Sequence, residues 1–181
     1  MHLLINRVIN ALLTQPTSLQ WLQWLGVAEL MAVTMIPLGY GLGFLQFRPV
    51  RSPQIILKVG AIALFTPALS EELCFRVFLL PHPTEALSPR LIGFWTVLSL
   101  IAFLLYHPLN ALSFFPAGRK TFLDPVFLLL ALILGVGCSI AYLNTGSLWL
   151  PTAIHWLAVV VWLLVLGGYE RLYGEEGNSD Y

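Results

Sequence analysis

Residues 55–80 read IILKVGAIALFTPALSEELCFRVFLL, and this stretch decides the fold class. It is longer than the roughly 20 apolar residues that carry a helix across a bilayer. Yet it places Glu71, Glu72 and Arg76 within about one and a half turns. One charged side chain at mid-bilayer costs about 2.5–3.5 kcal/mol on insertion scales, so three together require pairing or a wet cavity. The segment therefore predicts a membrane-spanning helix with a polar purpose.

The remainder of the chain agrees. Over 181 residues it is 58% hydrophobic and 10% charged, with a formal net charge of zero, which points to a bilayer and away from nucleic acid. Five segments are long and apolar enough to cross: 21–47, 55–80, 91–109, 122–143 and 148–166. The expected architecture is all-α, a polytopic transmembrane bundle of about five spans with an N-terminal interfacial helix. Residues 1–20 form the interfacial segment, 21–168 the membrane domain and 169–181 a disordered cytoplasmic tail. The opening lacks a small-residue cleavage site, so it reads as an interfacial helix and not a signal peptide. Arg48, Arg51, Lys58, Arg119, Lys120 and Arg171 lie toward one side of this arrangement, and Arg7 and Arg90 toward the other. The positive-inside rule then places the N-terminus outside and the acidic tail in the cytoplasm, and the expected location is a cytoplasmic or other energy-transducing membrane. Trp21, Trp24, Trp95 and Trp149 suit an aromatic belt. Gly39 and Gly43 have the spacing of close helix contact, and Gly135-Val136-Gly137 forms a second small patch, both read as intramolecular packing. Cys74 and Cys138 lack zinc-site or disulfide spacing and read as buried small residues.

On a helix Glu72 and Arg76 share a face and can pair, whereas Glu71 is rotated by about 100° and lacks a local partner. A carboxylate without a fixed partner is free to exchange a proton, as a general base or acid requires. His107 ends the third span and His155 lies inside the fifth. Two histidines and a free carboxylate on three spans make a candidate site, although each histidine alone could be structural.

Glu71-Glu72-x-x-x-Arg76, Phe103-x-x-x-His107, and His155 after Ser147-Leu148-Trp149-x-Pro151 resemble the CAAX-processing and bacteriocin-processing (CPBP) intramembrane proteases, which include the type II CAAX prenyl endopeptidases. The likeness runs from Ile62 to Trp162, in the family's motif order. It implies hydrolysis of a peptide bond in a membrane protein, peptide or prenylated substrate. By the same resemblance Glu71 and His107 activate water, His155 donates to the oxyanion, and Glu72 and Arg76 organise the site. Family members often carry Asn or another polar residue four positions after the late histidine, where this chain has Val159; Asn110 and Asn144 could supply a replacement amide, although each reads first as a helix-end capping or loop residue. No cofactor is required by this reading. A zinc ion would draw on Glu71, His107 and His155, but no HExxH is present. Two competing readings are a scaffold or chaperone that has lost proteolysis and a proton or ion transporter; the absence of repeated halves weighs against the latter. Substrate identity and oligomeric state stay open.

A geometric conflict accompanies the site. Counted from the cytoplasmic ends, Glu71 lies about 18–24 Å deep and His107 only about 5–8 Å in straight helices. At least one span must therefore be broken or steeply tilted, with Pro67 the candidate break, or the crossing must begin later than residue 60, while Pro108 need not end its helix.

Overall fold

The computed structural model describes residues 2–174. Among these described residues nine α-helices follow in order: α1 (His2–Leu13), α2 (Ser18–Gly41), α3 (Pro53–Ala63), α4 (Ser70–Glu72), α5 (Pro89–Ser113), α6 (Arg119–Phe122), α7 (Pro125–Thr145), α8 (Trp149–Leu164) and α9 (Gly168–Tyr173). Wide π-type turns over 64–69 and 73–78 flank α4. Among the described residues there is no strand, only one isolated bridge between Arg48 and Leu166.

Local chemistry sets the helix ends. Thr17 and Gln20 form a reciprocal capping box at the start of α2, satisfying donors that would otherwise be orphaned. Ser52 and Asp124 cap α3 and α7, each followed by a proline whose missing N–H costs nothing in the first turn. Gly146 ends α7 with φ of 69°, a conformation that glycine adopts without a Cβ clash.

Among the described residues, four helical segments are long and apolar enough to cross a membrane: Ser18–Gly41, Pro53–Glu85, Pro89–Ser113 and Pro125–Thr145. The expected fifth, 148–166, forms the 16-residue α8, about 24 Å long and short of a full hydrocarbon core. Its end is consumed by another contact: the carbonyls of Leu164, Val165 and Leu166 accept from the amides of Val50, Arg48 and Gln46. Among the described residues, four of the five expected segments thus have spanning length, and the fifth is a shorter apolar helix. The tail expected from residue 169 begins as helix α9, and 175–181 lie outside the described residues.

The second span is broken where Pro67 stands: Thr66 adopts φ −139° and ψ 111° inside an otherwise helical path. An extended conformation is favoured before proline, whose Cδ crowds the preceding residue in the helical region. Pro108, by contrast, lies within α5, which continues to Ser113.

α7 is the central helix, with Leu134, Cys138 and Ala141 packed against Trp24 of α2 and Leu150 and Ile154 of α8. Trp24 is therefore core and not belt, because it faces α7, whereas Trp21 and Trp149 are exposed. Cys74 is likewise exposed, contrary to expectation. It lies about 200° around the helix from Glu72, so the turn that buries Glu72 turns Cys74 outward. Gly39 permits close packing within the chain: a Cβ there would stand 2.5 Å from Leu45 Cδ1. Gly137 does the same beside Met31, where a Cβ would stand 2.4 Å from the sulfur.

Two ends can be told apart. At one, Arg7 donates to Glu85 and to the carbonyl of Phe78, and His82 Nε2 meets the Gly146 carbonyl. At the other, Arg171 pairs with Asp124 and Arg48 lies 4.0 Å from Glu170.

Candidate active site

The broken span presents the sequence motif inward. Glu72 and Arg76 are wholly buried, and Arg76 Nε stands 3.2 Å from Glu72 Oε2. Arg76 Nη2 also donates to the Gly135 carbonyl at 3.0 Å, and its guanidinium lies 4.6 Å from the centre of the Phe103 ring. These contacts replace some of the hydration that burial removes, the condition under which a buried ion pair is tolerated. Ser99 of α5 donates to the Phe75 carbonyl at 2.6 Å, fastening the motif turn to the helix that carries His107.

His155 joins the arrangement from α8. Its Nδ1 is 2.7 Å from Glu72 Oε1, while its Nε2 is 3.8 Å from Glu71 Oε2. Glu72 is an acceptor on both oxygens when ionised, so the shared hydrogen belongs to His155 Nδ1. One imidazole is thereby fixed in orientation by Glu72 and aims its other nitrogen toward Glu71. Trp156 helps to hold α8 in register, donating from Nε1 to the Gly60 carbonyl of α3 at 2.8 Å.

Glu71, His107 and His155 all line one cavity of about 660 Å³. Each is nearly buried, and Glu71 Oε2 has no hydrogen-bond partner among the described residues. His107 Nδ1 lies 2.9 Å from the carbonyl of Phe103, one turn earlier on α5. A carbonyl only accepts, so Nδ1 carries the hydrogen and Nε2 keeps its lone pair. The break at Thr66 and the unbroken passage of α5 through Pro108 give the broken bundle that the depth conflict demanded. The three residues share a cavity; His107 makes no ion pair with Glu71 within 4 Å among the described residues.

Tyr106, Asn110, Lys58 and Thr66 add further polar groups to the cavity wall, alongside Val159. Asn110 lies in the last turn of α5, and its backbone carbonyl accepts the amides of Phe114 and Phe115 that close the helix. Asn144 does not line the cavity and is exposed. Tyr106 and Lys58 carry no sequence signal beyond position: one adjoins His107 and the other lies inside an apolar helix. No three His, Cys, Asp or Glu side chains among the described residues stand where they could hold a metal ion together. The Glu71, His107 and His155 set does not fit one as placed.

No curated protein and no solved structure matches the chain. A family model described as "Type II CAAX prenyl endopeptidase Rce1-like" matches residues 53–161, from the start of α3 through most of α8. That region holds every residue of the cluster and more than half of the chain, and the protein belongs to the Rce1-like type II CAAX prenyl endopeptidase family, a family of membrane proteases.

Proposed function

We propose that the protein is an intramembrane endopeptidase that hydrolyses a peptide bond of a membrane-associated or prenylated protein, with Glu71 as the proton acceptor. The observation that carries this reading is His155 standing between two carboxylates that differ in kind. Glu72 is held by the Arg76 ion pair and by a hydrogen bond with Nδ1 of His155, whereas Glu71 faces the cavity with His155 Nε2 3.8 Å from its Oε2.

In the proposed reaction, water in the cavity loses a proton to Glu71 as its oxygen adds to the scissile carbonyl carbon. His107 Nε2, an acceptor because Nδ1–H is committed to Phe103, orients the other O–H of that water. The resulting oxyanion needs a donor. His155 supplies one from Nε2 when it is doubly protonated, since Nδ1–H is held by Glu72. The charges then balance: Arg76 and His155 against Glu72 and Glu71 before attack, and against Glu72 and the oxyanion after it. Collapse breaks the C–N bond, and the proton held by Glu71 passes to the departing amine. No step is routed through a metal.

Val159 leaves the cavity wall apolar at the position where the family often carries Asn. Asn110, three residues beyond His107 on the same wall, is the proposed replacement amide donor. The scaffold reading rests on the same valine. The discriminating experiment is turnover of lipid-anchored and prenylated peptides by the purified, reconstituted protein and by Glu71→Gln. Cleavage that depends on Glu71 supports proteolysis. Equal behaviour of both proteins across a broad membrane-peptide library, with a cellular phenotype that survives Glu71→Gln, supports scaffolding.

A further inference from the structure

Among the described residues that line the cavity, Lys58 is the one Lys or Arg. It comes from α3, whose cavity residues Ile55, Lys58, Val59, Ile62 and Ala63 recur at three- and four-residue spacing, the pattern of a single helix face. Val59 and Ala63 on that face are 8% and 2% exposed, whereas Leu57, turned the other way, is 75% exposed. Lys58 is thus set on the cavity side of α3 and not on its outer side. None of the ion pairs and neither cation–π contact among the described residues includes it. A cationic side chain on an apolar helix is costly unless water or an anion meets it.

The cavity therefore carries two fixed charges of opposite sign that do not neutralise each other. Lys58 precedes Glu71 by thirteen residues, about 20 Å along an unbroken helix. The α3 wall between them is apolar at Val59, Ile62 and Ala63. An anionic group drawn into this space is repelled at the Glu71 end and attracted at the Lys58 end. A peptide that presents its scissile carbonyl to Glu71 can reach Lys58 with a negative group within about six extended residues, at about 3.3 Å each.

We infer that Lys58 is a specificity-determining residue, pairing with a carboxylate that the substrate carries within about six residues of the bond to be cut. The inference rests on the proteolytic reading above. The C-terminus of the substrate and an Asp or Glu side chain offer the same chemistry, and the test separates them.

Three lipid-anchored peptides share one sequence free of acidic residues: one ends in an amide, one ends in a free carboxylate, and one ends in an amide but has a single Glu introduced beyond the anchored segment. Their kcat/KM is measured with the full-length protein reconstituted in phosphatidylcholine vesicles, and their binding with Glu71→Gln in the same vesicles. One or both carboxylate peptides should be favoured about tenfold or more over the neutral one, chiefly through KM, the scale of a hydrogen bond to a charged group. Which of them is favoured identifies the source of the carboxylate. Lys58→Met should reduce that ratio to about one, and Lys58→Arg should restore most of it. Equal handling of all three peptides by the wild type overturns the inference, as does a preference that survives Lys58→Met. So does a Lys58→Met defect of equal size for all three peptides, the mark of a lysine that serves lipid headgroups or the fold. If no peptide is cleaved, the proteolytic reading fails, and the binding ratios with and without Lys58→Met decide the role of Lys58 by the same criteria.

Discussion

Two long apolar segments of this molecule each contain acidic and proline residues, and they fold differently. In α2, Glu29 and Pro37 occur within one uninterrupted 24-residue helix. In the segment from Pro53, Pro67 coincides with a break at Thr66, and the carboxylates that follow turn inward. Proline alone does not decide the outcome, since it removes one amide and crowds one turn in both cases. What differs is the environment. The residues after Thr66 pack against α5, α7 and α8, where Phe103, Gly135 and His155 supply partners for Arg76 and Glu72. Glu29 is exposed on α2 and meets no such partners among the described residues. The same residue type is thus internal chemistry in one place and an outward-facing group in the other.

The sharpest way to break this contrast is to neutralise each carboxylate in turn. Glu71→Gln should lower kcat by about 10²–10⁴, the usual worth of a general base, while Glu29→Gln leaves turnover unchanged. Single-turnover cleavage of a membrane-anchored peptide measures both. Next in size is the pairing itself. Arg76→Met strands Glu72 in a buried site and should destabilise the fold by about 3–5 kcal/mol, whereas the double change Glu72→Leu with Arg76→Met should recover much of that loss. Unfolding in mixed micelles compares the two. If the double variant is no more stable than the single, the ion pair is not what makes burial tolerable.

Smaller effects probe how α2 is seated. Gly137→Ala sets a methyl against the Met31 sulfur and should cost about 1–3 kcal/mol of stability, reduced by the mobility of the methionine. Thr17→Ala removes half of the capping box and should cost about 1 kcal/mol, seen as faster hydrogen exchange at the start of α2. Neither change should alter the pH dependence of cleavage, because neither touches the cavity wall.

Much of the site was legible in the sequence because its signals are local or costly. A Glu-Glu-x-x-x-Arg turn in hydrocarbon announces a pair and a leftover acid, and the helical period alone puts Glu72 beside Arg76. Glu29 was equally visible as a lone acid between apolar residues, and the rule that made the Glu71 turn conspicuous applies to it unchanged. The exposure of Cys74 and the burial of Trp24 were not legible, since both depend on which side of a helix meets its neighbour.

By itself the sequence determined the all-helical membrane class, the region that the family match later confirmed, and the local pair of Glu72 with Arg76, because hydropathy and helical spacing act over a few residues. The tertiary structure alone decided that His155, 83 positions from Glu72, takes that carboxylate through Nδ1 and turns Nε2 toward Glu71. It alone decided that the fifth segment is a short core helix, and that Glu29 is left outside. Partners so far apart in the chain are chosen by how helices pack, and packing depends on the shapes of all the faces at once.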